Sequence, residues 1–143
     1  MAQVLQKLGI TRGLVVHGSD GMDELTLTGA THLCEVTPEG LTMSILEPED
    51  VGLTPCRAEA LAGGDAVHNA RLIEAAFANQ HPEAAALIAL NAGAALYVAG
   101  KADTIKAGVS QARELINNGS AAAKLKSLQN QPFQEVVPCS IKS

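Results

Sequence analysis

A long apolar segment over residues 84–100 constrains the fold of this chain more than any other feature. It contains Asn91 and several small residues, and it is too short and too rich in alanine for a membrane-spanning helix. Pro82 precedes the segment, and proline is favoured in the first turn of a helix, where its missing N–H costs nothing. Because the segment is apolar on nearly all sides, we expect a helix from Pro82 to Val98 at the centre of a helical layer.

Further helices are predicted on both sides of this segment. A short helix over residues 57–62 ends at two glycines, after which Asp65 is a suitable N-cap for a helix to about Asn79. After residue 100, Asp103 or Thr104 caps an amphipathic helix, and a final short helix follows it. These helices precede and follow the apolar segment in the sequence, and we expect them to pack against it.

The first half of the chain predicts a small sheet. A helix over residues 1–8 is followed by residues 14–17, a continuous apolar run typical of a strand inside an α/β sheet. Residues 31–37 and 41–46 flank a Pro-Glu-Gly turn and predict an antiparallel hairpin. The predicted fold class is therefore α/β, with a short buried strand and an antiparallel hairpin followed by a layer of helices. We expect one domain over residues 1–128 and a loose tail over residues 129–143.

Charge and composition limit the classes of partner. Ten basic and fifteen acidic residues give a net charge of −5, without a cluster of Lys or Arg, which argues against nucleic-acid binding. Cys34, Cys56 and Cys139 show no CxxC spacing, so a zinc site is not expected. Three widely spaced cysteines favour reduced thiols and a cytoplasmic protein, with no membrane association.

An acidic pair, Asp23 and Glu24, follows the apolar strand. Mg²⁺ is commonly held by one or two carboxylates together with phosphate oxygens of a substrate. Neighbouring strand residues point to opposite faces, so both carboxylates reach one ion only if the backbone turns, and Gly18 and Gly21 permit such a turn. The spacing alone is also compatible with ordinary polar turn residues, including Asp20.

Other candidate residues have equally plausible structural roles. Residues 63–65 (GGD) could expose amides to a phosphate at a helix N-terminus, or could be a helix end followed by an N-cap. Asn69 and Asn91 lie in predicted helices and are expected to tie each helix to a neighbouring loop. The four histidines are scattered, and no set of nucleophile and base is convincing.

Six collinear segments together resemble the C-terminal portion of anthranilate phosphoribosyltransferase over about residues 1–128. They are residues 14–18 (LVVHG), 21–24 (GMDE), 48–53 (PEDVGL), 63–65 (GGD), 69–70 (NA) and 90–97 (LNAGAALY). The resemblance implies a nucleoside phosphorylase-like catalytic α/β domain. It also implies a role in tryptophan biosynthesis, where phosphoribosyl pyrophosphate (PRPP) and anthranilate give phosphoribosyl-anthranilate and pyrophosphate.

The resemblance assigns one functional pair, since Asp23 and Glu24 match the adjacent Asp-Glu that binds Mg²⁺ on PRPP. The family's glycine-rich PRPP loop, its Lys-His-Gly-Asn-Arg segment and its anthranilate-contacting arginine precede the matched region. We therefore expect a fragment, a truncated product or half of a split enzyme, inactive alone and homodimeric when full length. The alternatives are a related pyrimidine nucleoside phosphorylase-like enzyme and a non-catalytic binding or assembly module of the same fold.

Overall fold

The structure is a computed structural model that describes residues 1–130. Its strands are β1 (Gly13–Gly18), β2 (Thr31–Thr37) and β3 (Gly40–Leu46). Its α-helices are α1 (Ala2–Lys7), α2 (Ala66–Phe77), α3 (Pro82–Val98), α4 (Ile105–Asn117) and α5 (Ser120–Gln129), with short 3₁₀ helices at Pro48–Val51 and Ala58–Leu61. The predicted α/β fold class and the predicted order of elements are confirmed.

The strands form an antiparallel sheet in the order β1-β2-β3. β2 and β3 form the predicted hairpin, with Thr37 paired to Gly40 at the turn. β1 differs from the expectation of an interior strand, because it pairs on one side only, antiparallel to β2. Its residues 13–16 are half-buried and not fully buried. The apolar run is therefore at an edge of the described sheet.

Helices pack on both faces of the sheet and leave the middle of β3 exposed. On one face, Leu14, Val16 and Leu33 pack into a core with residues of α3 and α4, including Leu90 and Val109. The opposite face of β2 carries Cys34 and Val36, which are also buried. α1 packs against all three strands, whereas Met43 and Ile45 of β3, on the same face as Cys34, stay 70% and 60% exposed.

Helices α3 and α4 form the most extensive helix pair, and they cross at two glycines. A Cβ atom built on Gly108 would overlap the carbonyl oxygen of Gly93 and lie 3.0 Å from its Cα. A Cβ built on Gly93 would lie 2.7 Å from the Cα of Val109. Two backbones can approach this closely only where neither helix carries a side chain at the crossing. The expectation that the apolar helix lies centrally is confirmed, since α3 contacts β1, α2 and α4.

Helices α2 and α4 begin at their predicted N-caps. The side chains of Asp65 and Thr104 accept hydrogen bonds from the amides of His68 and Ala107, at 2.7 and 3.0 Å. His81 caps α3 by accepting from the amide of Ala84 at 3.2 Å. Apart from Gln129, the last residue of α5, and Asn130, its C-cap, the predicted tail lies outside the described residues. Within residues 1–130, no helix reaches the length and hydropathy that a bilayer crossing requires.

We expect Gly108→Ala to destabilise the protein by about 1–3 kcal/mol, because the new methyl group forces α3 and α4 apart. Alanine is otherwise the better helix former by about 1 kcal/mol, so a loss reports the clash and not helix propensity. Urea denaturation followed by circular dichroism measures the change. Ser110→Ala, at an exposed position of α4, is the control and is expected to stay within about 0.5 kcal/mol of the unmodified protein. Equal stability for Gly108→Ala would exclude the close crossing.

Candidate functional site

The acidic pair lies on an irregular loop over residues 19–30 that joins β1 to β2. The loop turns back immediately after the strand: the amide of Gly18 donates to the Met22 carbonyl at 2.9 Å, and the amide of Gly21 donates to the Gly18 carbonyl at 3.0 Å. Gly21 has a φ of +93°, a conformation that favours glycine. Asp23 and Glu24 therefore follow a turn, as a shared cation site requires.

Asp20 organises this loop, a role that the sequence did not reveal. Its carboxylate accepts hydrogen bonds from the hydroxyl of Thr26 at 2.6 Å, from the hydroxyl of Thr28, and from the amide of Met22 at 3.1 Å. The Thr26 and Thr28 hydrogen bonds lower the pKa of Asp20 from 3.8 to about 2, because they favour the charged form. Asp20 is thus committed to holding the turn in place.

Asn91 fixes the other end of the acidic pair to α3. Its side-chain oxygen accepts from the amide of Leu25 at 3.1 Å, and its side-chain nitrogen donates to the Leu25 carbonyl at 3.0 Å. The same nitrogen also donates to the Leu87 carbonyl, one helical turn earlier, at 3.2 Å. Leu25 and Leu27 are buried in the core, so the chain directly after Glu24 is held rigidly. The predicted tie between Asn91 and a neighbouring loop is confirmed.

The two carboxylates of the pair have different surroundings. Asp23 is exposed to solvent, whereas Glu24 is half-buried. Burial raises the pKa of Glu24, and the neighbouring charge of Asp23 raises it further. A bound divalent cation would relieve the repulsion between the two groups.

The donor set suits one kind of cation. Among residues 1–130, no group of three or more His, Cys, Asp or Glu is arranged to hold a metal. A cation at Asp23 and Glu24 would therefore receive most of its oxygen ligands from water or from a bound molecule. Mg²⁺ bound to phosphate oxygens fits this arrangement, because it is usually held by one or two carboxylates and keeps other oxygen ligands.

Residues 63–65 (GGD) have a structural role at the start of α2, the second of the two predicted alternatives. Asp65 is the N-cap of α2, and Asn69 accepts from the amide of Gly64 at 2.8 Å and donates to its carbonyl at 3.1 Å. The predicted tie between Asn69 and a loop is therefore confirmed. The amide of Gly64 is already hydrogen-bonded, so it is not free to bind a phosphate in this conformation.

Comparison with known proteins places this geometry in a family. The glycosyl transferase family, a/b domain, matches residues 1–122. An anthranilate phosphoribosyltransferase of Trichlorobacter lovleyi is 44% identical over 128 residues, which cover 90% of this chain and 37% of that protein.

Two solved structures show the same fold. The crystal structure of anthranilate phosphoribosyltransferase from Thermus thermophilus is 42% identical, with a TM-score of 0.78 over 88% of this chain and 37% of that chain. The Saccharomyces cerevisiae enzyme in complex with PRPP and Mg is 24% identical, with a TM-score of 0.66 over 79% of this chain and 33% of that chain. This chain thus spans little more than a third of the relatives that it matches.

Asp20 makes the stability of the protein depend on pH in the acid range. Its pKa is lowered in the folded state, so it stabilises the fold above pH 3.8, and this contribution is lost as the pH falls to about 2. We expect Asp20→Asn to lower stability by about 1 kcal/mol at pH 6, a modest value because the side chain is exposed. The difference should shrink as the pH approaches 2. Thermal melts from pH 6 to pH 2 measure it, and a difference that stays constant with pH would contradict the charged network.

Proposed function

Because the chain belongs to the glycosyl transferase family through its a/b domain, we propose that it takes part in phosphoribosyl transfer from PRPP to anthranilate in tryptophan biosynthesis. In this proposal it supplies the acidic, metal-binding turn of the catalytic α/β domain. Its relatives are anthranilate phosphoribosyltransferases, and this chain spans little more than a third of their length. In this proposal the rest of the catalytic machinery corresponds to the part of these relatives that this chain does not match.

The observation that carries the proposal is the placement of Asp23 and Glu24. The pair lies between two anchors, the Asp20 network before it and the Asn91 hydrogen bonds to Leu25 after it. Such anchoring restricts where the carboxylates lie before a ligand arrives, which lowers the entropic cost of binding.

In this proposal Asp23 and Glu24 would hold Mg²⁺ together with the diphosphate of PRPP, and the bound ion would supply charge neutralisation for the leaving pyrophosphate. Asp20 and Asn91 are positioning residues, because they contact the loop backbone and other side chains and act through the acidic pair. The bond between the anomeric carbon and the pyrophosphate oxygen breaks while the anthranilate nitrogen forms the new bond to the anomeric carbon, and the nitrogen then releases a proton to water.

The proposal also includes a location and an assembly state. Cys34 and Cys56 are free thiols, which is consistent with a reducing compartment such as the cytoplasm. The complete protein is proposed to be a homodimer on the basis of the family resemblance alone. Neither statement affects the assignment of Asp23 and Glu24.

We test the metal-binding role in a chimera, in which residues 1–122 replace the matching region of the Thermus thermophilus enzyme. Asp23→Asn and Glu24→Gln keep the size of each side chain and remove its charge. Each is expected to reduce the rate by about tenfold to a thousandfold, because a preorganised charge contact is lost. The double variant should lose less than the sum of the two effects, since both groups serve one site. Steady-state kinetics across a Mg²⁺ titration measure this.

Two controls separate chemistry from stability in the chimera. Glu114→Gln removes a carboxylate from the exposed surface of α4 and should leave kinetics and stability unchanged. Thermal melts of Asp23→Asn and Glu24→Gln should stay close to those of the parent chimera. Unchanged kinetics and unchanged Mg²⁺ dependence in both variants would show that Asp23 and Glu24 are ordinary polar turn residues without a metal-binding role.

The chain by itself is expected not to form phosphoribosyl-anthranilate. The family's PRPP loop and anthranilate-contacting arginine lie outside the segments that resemble it, so the sugar and the amine are not positioned. Purified chain, PRPP, anthranilate and Mg²⁺ are combined, and anthranilate consumption is followed by its fluorescence. Mg²⁺-dependent product from the chain alone would refute the proposed division of roles between this chain and further polypeptide.

A further inference from the structure

Strand β3 has an open edge with unpaired backbone groups. Among residues 1–130 it pairs with β2 only. The amide of Ser19 donates to the Ala30 carbonyl at 2.8 Å, and bonded pairs alternate along an antiparallel ladder, so even-numbered residues of β2 bond to β1 and odd-numbered residues bond to β3. In the register with β2, the N–H and C=O groups of Leu41, Met43 and Ile45 therefore point outward, without a hydrogen bond to described residues.

The side chains of β3 alternate between apolar and hydroxyl groups. Leu41, Met43 and Ile45 share one face of the sheet and are 37%, 70% and 60% exposed. Thr42 and Ser44 lie on the opposite face and are also exposed. The strand has a regular ladder and no charged residue or proline, although these features normally protect an edge. The edge thus offers both free backbone groups and apolar surface.

This pattern is complementary to itself in an antiparallel arrangement. When Met43 of one copy lies opposite Met43 of a second copy, Leu41 lies opposite Ile45 of the second copy. In the same register Thr42 lies opposite Ser44 of the second copy. Residues directly opposite each other share a face, so apolar side chains meet apolar side chains and hydroxyl groups meet hydroxyl groups. An antiparallel pair of identical strands has a two-fold axis, and closed two-fold pairs are the commonest oligomers.

We propose that the open edge of β3 binds the β3 edge of a second copy of this chain, with the two-fold axis at Met43. The pairing joins two three-stranded sheets into one continuous sheet. Leu41, Met43 and Ile45 of each copy exchange main-chain hydrogen bonds with the residues opposite them, and their side chains form one apolar surface. The inference goes beyond the proposed function, because it requires neither Mg²⁺ nor further polypeptide.

The interface is small and joins two acidic molecules. A single pair of strands buries less than the roughly 1,200 Å² of stable complexes, so we expect a dissociation constant of about 10 to 1,000 μM. Each copy has a net charge of −5, and the register brings Glu39 towards Glu47 of the second copy at both ends of the strand pair. Because salt screens this repulsion, association should strengthen when NaCl is raised from about 0.05 to about 0.5 M. Weaker association at high salt would contradict this interface.

Charged substitutions at the two-fold axis test the register. Met43→Lys places like charges opposite each other and should weaken self-association by about tenfold or more, and Met43→Glu should do the same. Val67→Lys is the matched control, because it also replaces an exposed apolar side chain, on a helix that packs against α3, α4 and α5. Sedimentation equilibrium of the full chain measures each dissociation constant, and circular dichroism shows that each variant is folded. Equal weakening by Val67→Lys would contradict the β3 contact.

A mixture of the two Met43 variants gives the sharper result. When Met43→Lys and Met43→Glu are combined in equal amounts, opposite charges face each other at the axis. A mixed pair should then form with at least the affinity of the unmodified chain, and a tag on one variant allows capture of the other. Such rescue requires that Met43 meets Met43. A mixture that associates as weakly as each variant alone would overturn the proposal.

Hydrogen exchange locates the contact on the sheet. The amides of Leu41, Met43 and Ile45 should exchange about threefold or more slowly at high than at low protein concentration. The amides of Thr42 and Ser44, already bonded to β2, serve as internal references. Association that leaves the three outward amides unchanged would place the contact on another surface, such as the open edge of β1, and would refute the inference. A chain that stays monomeric at about 1 mM would refute it as well.

Discussion

The close crossing of α3 and α4 at Gly93 and Gly108 is the constraint on which the rest of the structure depends. With a Cβ at either position the helices could not approach this closely, and the core shared by α3, α4 and the sheet would open. Asn91 lies only two residues before Gly93 on α3. The position of α3 therefore also determines where Asn91 holds Leu25 and, through Leu25, where the acidic pair lies.

The acidic loop shows how a short irregular segment is made rigid without regular secondary structure. Its backbone amides are satisfied by side chains at both ends: Asp20 accepts from Met22, and Asn91 accepts from Leu25. Between these anchors the half-buried Glu24 lies beside Asp23, a placement that disfavours its charged form. A bound cation would offset this electrostatic cost. Carboxylates with perturbed pKa values are therefore often found at functional sites.

The sequence predicted most of the elements because their signals are local. Periodicity located the helices, Pro and Gly marked the turns, and the lone polar residue Asn91 in an apolar helix indicated a tie to another segment. The features that escaped prediction are long-range. Nothing local shows that β1 pairs on one side only, or that Arg12 stacks on Tyr97, 85 residues away, while the Tyr97 hydroxyl donates to Glu35 at 2.7 Å. Asp20 looked like a turn residue because its partners Thr26 and Thr28 become neighbours only when the loop folds back.

The edge strand β1 leads directly into the loop that carries the acidic pair. The outward N–H and C=O of Gly18 are already used, since they bond to Met22 and Gly21 within the turn. The turn therefore uses the backbone groups that Gly18 would otherwise leave free at the edge of the sheet, and this closure fixes the point from which the chain runs to Asp23 and Glu24.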